Sequence, residues 1–71
     1  MIGKLTGVID SLGEDELVLD VAGVGYVLVC GARTLSRVET GASVVMHVET
    51  YVREDVFRLY GFLTEAERAW F

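Results

Sequence analysis

The sequence predicts an all-β fold, a small barrel with one short helical insertion. Three observations carry this. Five apolar runs recur along the chain, each with the two-residue alternation of a half-buried strand. Glycines and acidic residues separate them as turns. Between the third and fourth runs the alternation is lost over a stretch that reads as helix. At 71 residues the chain is one small domain. Such a chain buries only roughly 60% of its unfolded surface, so its stability is marginal.

The elements follow in order. Residues 2–10 form a first strand carrying Leu5, Val8 and Ile9, and Gly3 and Gly7 in it predict a bulge or sharp bend. Residues 11–15, Ser-Leu-Gly-Glu-Asp, read as a turn. Residues 16–21 form a second strand with Leu17, Leu19 and Val21 on one face. Residues 22–25, Ala-Gly-Val-Gly, are a second tight turn, and residues 26–30 a third strand. Residues 32–38 predict one or two helical turns, ended by Gly41 and Ala42. Residues 43–52 form a long valine-rich strand in which Val44, Met46, Val48 and Thr50 oppose Val45, His47, Glu49 and Tyr51. Arg53-Glu54-Asp55 reads as a three-residue hairpin turn, and residues 56–62 as a fifth strand.

Thr64 then opens a helix. Thr64-Glu65-Ala66-Glu67 fits a capping box, and both glutamates suit the positive end of the helix dipole. The helix runs to Phe71 without a stop signal. One or two helical turns are marginal unless packed, so a continuation beyond these residues is expected. Strand–strand–strand–helix–strand–strand is the order of an OB-fold, a five-stranded Greek-key barrel that meets ligands near strands two and three and the flanking loops. An SH3-like small barrel is the alternative. Residues 1–63 form the barrel domain on this reading, and residues 64–71 begin the helix that leads out of it.

Charge and composition narrow the function. Eleven acidic side chains against six basic ones give a net charge of −5. Bulk attraction to phosphate needs clustered Lys and Arg, so this charge disfavours non-specific nucleic-acid binding. Asn and Gln, the side chains that pair bidentately with adenine, are absent. Any contact with DNA therefore reads backbone and shape. The lone Cys30 excludes an internal disulfide and fits a reducing cytoplasm. No apolar run approaches the ~20 residues of a membrane helix, and Asp10 interrupts any signal-peptide core.

No catalytic constellation emerges. Gly23-Val24-Gly25 continues into strand, whereas a dinucleotide fingerprint needs a helix there. His47 has no local Ser or Cys signature beside it and reads as an outward strand residue. Cys30 and His47 do not make a zinc pattern, and there is no phosphate-binding loop of the Walker type. Arg33 and Arg37, four apart, suit a shared helix face, most simply a solvated one. Asp10, Glu14, Asp15, Glu16 and Asp20 make the first hairpin an acidic edge that resists sheet pairing. Arg53-Glu54-Asp55 is the candidate site, because it lies in the loop where this fold meets ligands. Charged residues are also ordinary in turns. A nuclease built on its two carboxylates would need further acids from other strands, and none is evident.

Three stretches together resemble one family. They are Met1-Ile2-Gly3-Lys4-Leu5-Thr6-Gly7, then Val21-Ala22-Gly23-Val24-Gly25-Tyr26, then the run from Val52 through Arg53-Glu54-Asp55 and Leu59-Tyr60-Gly61-Phe62, with Glu67-Arg68 after it. In these the chain resembles the N-terminal domain of the RuvA family, the bacterial subunits that bind Holliday junctions. The resemblance spans essentially all 71 residues and about the first third of a RuvA-like chain.

The resemblance implies an OB-fold followed by a helical domain with two helix-hairpin-helix motifs that grip the DNA backbone. A linker and a small domain that engages the RuvB ATPase come after it. It implies a cytoplasmic homotetramer acting in recombination, DNA repair and the SOS response, with the RuvC resolvase as a further partner. The subunit itself is non-catalytic and needs no cofactor. Glu54 and Asp55 match the acidic pins at the centre of that tetramer, where carboxylates repel phosphate at the crossover. Arg53 matches an arginine that contacts phosphate or braces the pins, and Lys4 is a further backbone contact. Thr6 stands where some relatives carry a basic residue, so a phosphate role in the first strand is limited to Lys4. A different class remains open: an oligomerisation or protein-interaction domain with no DNA binding of its own. A generic single-strand binder would use Tyr26, Tyr51, Phe57 and Tyr60, but it lacks a basic groove.

Overall fold

A computed structural model describes residues 1–70. Five strands, β1 (Lys4–Leu12), β2 (Glu16–Val21), β3 (Val24–Val29), β4 (Ser43–Arg53) and β5 (Val56–Phe62), close into one barrel in the order β1-β2-β3-β5-β4. β1 closes it against β4. β3 and β5 run parallel, at Leu28↔Leu59 and Val29↔Tyr60; the other neighbours are antiparallel. This is the expected OB-fold. Helix α1 (Ala32–Leu35) makes the β3-to-β4 connection, and α2 (Glu65–Trp70) follows β5.

Alternation builds the interior. Leu17 and Leu19 on β2, Leu28 on β3, Met46 and Val48 on β4, and Ile9 on β1 are almost completely shielded, with Leu59 and Cys30 beside them. Each large aliphatic side chain so buried contributes roughly 1.5–3 kcal/mol. Leu35 and Val38 pack on this core from the α1 connection, and Leu63 packs on it after β5.

β1 serves both neighbours by bending. Lys4 to Val8 pair with β4, Val8 to Leu12 with β2, and the register shifts between Ile9 and Ser11. The expected bulge thus falls at Asp10 and not at a glycine. Gly7 has its own reason: a Cβ there would lie 2.3 Å from the Asp20 carbonyl oxygen. β1 therefore passes β2 at a distance that only glycine allows.

Several boundaries differ from the sequence reading. β1 continues through Ser11↔Val18 and Leu12↔Leu17, which shortens the first turn to Gly13, Glu14 and Asp15. β3 begins at Val24 because Ala22 and Gly23 alone make the second turn. Both have positive φ, 51° and 90°, as a type I′ hairpin requires, and Asp20 accepts the Gly23 N–H at 2.8 Å. α1 spans only four residues, so Arg37 lies beyond it and shares no helix face with Arg33. Arg53 belongs to β4, because it pairs with Val56 across a two-residue turn. At α2 the Thr64 hydroxyl accepts the Glu67 N–H at 3.1 Å. The Glu67 carboxylate meets that same hydroxyl at 3.2 Å instead of reaching the Thr64 N–H, so half of the capping box forms. The expected extension of the helix onto Phe71 lies outside the described residues.

Candidate nucleic-acid interface

β4 and β5 are paired along their length from His47↔Phe62 to Arg53↔Val56. β3 covers β5 only at Leu59 and Tyr60. Residues 51–58 are consequently all exposed, and they form a two-stranded ribbon standing off the barrel. Its tip is the two-residue turn Glu54-Asp55.

Glu54 takes φ +48°, the left-handed region that glycine or asparagine occupies at far lower cost. A non-glycine residue held there stores on the order of 1 kcal/mol. Both carboxylates are exposed, and among the described residues neither makes an ion pair or a side-chain hydrogen bond. The tip is a bare, acidic point.

Behind it the register sorts the ribbon into two faces. Tyr51↔Arg58 and Arg53↔Val56 share one face, because residues two apart on a strand point the same way. Arg53 and Arg58 are therefore diagonal neighbours just behind the tip, with Tyr51 between them. The Arg53 Nη1 reaches the Tyr51 hydroxyl at 3.4 Å and is not paired with either tip carboxylate. Tyr51 in turn meets Tyr60 edge to face, with ring centroids 6.3 Å apart. The opposite face continues the core-facing rows outward, through Thr50↔Leu59 to Val52↔Phe57.

The sequence reading places Arg53 in the turn and Arg58 in the fifth strand, with no face assigned to either. The register sum settles both. A two-residue turn at 54–55 pairs 53 with 56 and 51 with 58, which sets the two arginines on one face. Lys4 lies elsewhere: it opposes His47 at the start of β1. That is six residues along β4 from Arg53, or about 20 Å at strand rise. Arg33 is exposed on α1. The ribbon therefore brings together Glu54, Asp55, Arg53 and Arg58, and leaves out Lys4.

Among the described residues no group of three or more His, Cys, Asp or Glu is placed to hold a metal ion. Burial pushes the Cys30 thiol up to about 11, against a smaller opposing effect of a hydrogen bond with the Gly61 backbone. It is a core thiol, unlike the low-pKa thiols of reactive sites. No described helix is long and apolar enough to cross a membrane.

The family model that matches this chain is the RuvA N terminal domain, over residues 1–61. A protein of Maricaulis maris named Holliday junction branch migration complex subunit RuvA is 63% identical over 71 residues, covering all of this chain and 33% of that protein. Proteins of the same name from Methylobacterium radiotolerans and Azorhizobium caulinodans are each 58% identical over 72 residues, covering all of this chain and 35% of their own length. The chain thus spans about a third of the length of these relatives.

Proposed function

This chain belongs to the RuvA N-terminal domain family, and on that premise we propose that it is the barrel domain of a subunit that binds four-way DNA junctions and drives no chemistry itself. Glu54 and Asp55 are its junction-facing residues. Several tips brought together in a homotetramer gather carboxylates at one point. That point repels phosphates, so duplex arms stay outside and strands part as they cross. The repulsion acts over a Debye length of ~8 Å, which leaves attraction intact further out. In this proposal Arg53 and Arg58, behind the tip, hold the flanking phosphates, and Lys4 acts separately, opposite His47 in the middle of β4.

The observation that carries this reading is the bare acidic tip with a strained glutamate. A structural turn is better served by glycine or asparagine, so a glutamate held at φ +48° speaks for selection on its charge. The homotetramer is supported by Val52 and Phe57, apolar side chains in core-facing register that nothing in the barrel covers.

In this proposal residues 1–63 are the barrel domain, and residues 64–71 lead into the remainder of a longer cytoplasmic protein. That remainder grips the DNA backbone. ATP hydrolysis comes from a RuvB partner ATPase, the RuvC resolvase acts on the same junction, and no cofactor is needed. With a net charge of −5, the 71 residues alone bind a junction weakly or not at all.

The test is junction affinity against salt for the full-length protein carrying Glu54→Gln with Asp55→Asn. Removing a repulsive charge tightens binding a few-fold at low salt, and the gain disappears near 1 M, where screening acts within about 3 Å. Weaker binding by the neutral variant at low salt would mean that the carboxylates hold the DNA, and the reading would fail.

A further inference from the structure

One face of the β4–β5 ribbon interleaves rings with guanidinium groups. Counted back from the tip, it holds Arg53 opposite Val56, Tyr51 opposite Arg58, and Glu49 opposite Tyr60. Tyr51 therefore has Arg58 across from it and Arg53 two residues along its own strand. Directly opposed side chains start about 4.5–5.5 Å apart at Cβ and diagonal ones about 7–8 Å, so all three reach one another. Among the described residues neither arginine makes an ion pair. The basic stretch is short. Glu49 bounds it toward the barrel, and the Glu54-Asp55 turn bounds it at the tip.

Two contacts fix the Tyr51 ring. Tyr60 meets it edge to face, with an interplanar angle of 86°. The Arg53 Nη1 donates to its hydroxyl across 3.4 Å. The residue nevertheless stays 37% exposed. A side chain already held in place loses little freedom when something binds to it. An accessible ring with cations on two sides is the combination that takes a single-stranded nucleotide: the ring stacks a base, and the cations hold the backbone. Paired duplex offers such a ring no base face, because its bases are stacked on one another.

We propose that Tyr51 is a stacking residue for a base freed at the junction crossover, with Arg53 and Arg58 on the phosphates that flank it. The inference rests on the junction-binding reading and adds a destination for the strand that the acidic tip turns aside. Glu54 and Asp55 expel phosphate from the tip, and the arginines hold it just behind. The freed base has lost its neighbours in the duplex, and the Tyr51 ring replaces one of them. Every base has a π-face, so the site accepts any sequence. That suits a crossover that moves along DNA.

The test uses the full-length protein and a four-way junction with one unpaired 2-aminopurine at the crossover. This base is bright when unstacked and dim when stacked on a ring. The unsubstituted protein should dim it on binding, and Tyr51→Phe should dim it equally. In the Tyr51→Leu complex it should stay several-fold brighter. Tyr51→Leu should also bind this junction about five-fold more weakly or worse, the scale of one lost base–aromatic stack. A bright complex of the unsubstituted protein, or an equally dim one of Tyr51→Leu, would overturn the proposal and leave junction binding itself intact. Loss of dimming in Tyr51→Phe would also overturn it, because the hydroxyl link to Arg53 would then matter in place of the ring. A full-length protein that does not bind the junction at all would bring down the junction-binding reading, and this proposal with it.

Discussion

Val52 and Phe57 face each other across the β4–β5 ribbon in the row that points into the barrel, yet they stand 60% and 64% exposed. The row they extend is otherwise core: Met46 and Val48 on β4 and Leu59 on β5 are buried. The ribbon carries a core-facing surface past the end of the core.

Such a pair invites cover by another chain. Phe57→Ser with Val52→Thr should weaken self-association of the full-length protein, read by sedimentation velocity as a shift toward monomer. Both side chains are exposed, so the barrel itself should lose less than about 1 kcal/mol of unfolding free energy. Unchanged assembly of the double variant would remove this face from the interface.

The tip of the ribbon sets stability against function. Glu54→Gly relieves a left-handed glutamate but adds backbone freedom to the unfolded chain. Chemical denaturation should therefore find the barrel unchanged or up to about 1 kcal/mol more stable. The same variant should lose half of the tip's charge and alter junction handling. A loss of several kcal/mol would mean that the Glu54 side chain holds the turn.

Arg53 and Arg58 sit on one face behind the carboxylates. In the full-length protein, Arg53→Gln and Arg58→Gln should each weaken junction binding at low salt, with little dependence on base sequence. Each should also reduce the slope of log affinity against log salt by about 1, the signature of one lost phosphate contact. Lys4→Gln should act additively with either, because Lys4 lies opposite His47, about 20 Å along β4 from Arg53. A slope unchanged in Arg58→Gln would place that side chain away from DNA.

Cys30 gives the fold an alkaline limit. Its thiol ionises at about 11 in the folded barrel against 9.0 unfolded. The unfolded chain therefore releases this proton first. The resulting stability is fully present below pH 9 and fades as pH rises toward 11. The loss approaches roughly 3 kcal/mol above pH 11. Thermal melts of Cys30→Ala should fall less steeply than the unsubstituted chain across this window. Parallel curves would contradict the assignment.

Much of this architecture was legible in the residues. Leu17, Leu19, Met46 and Val48 announce their buried faces through strict alternation, and the order of elements leads to the barrel. The ribbon was less legible for a specific reason. Whether the tip has two residues or three depends on Glu54 accepting positive φ, and glutamate does not advertise that conformation as glycine does. Counting three residues put Arg53 in the turn and hid the face it shares with Arg58. The bulge fell at Asp10, because β1 must turn between two partners, a demand made by closure of the barrel and not by local sequence.

The central claim is that Glu54 and Asp55 work by repelling phosphate at the crossover. The most direct measurement is the rate of branch migration by the full-length protein with its partner ATPase, comparing the unsubstituted subunit with Glu54→Lys, Asp55→Lys. The account predicts that migration and strand separation at the crossover change markedly while junction affinity moves only a few-fold. Migration and strand separation identical to those of the unsubstituted subunit would contradict it.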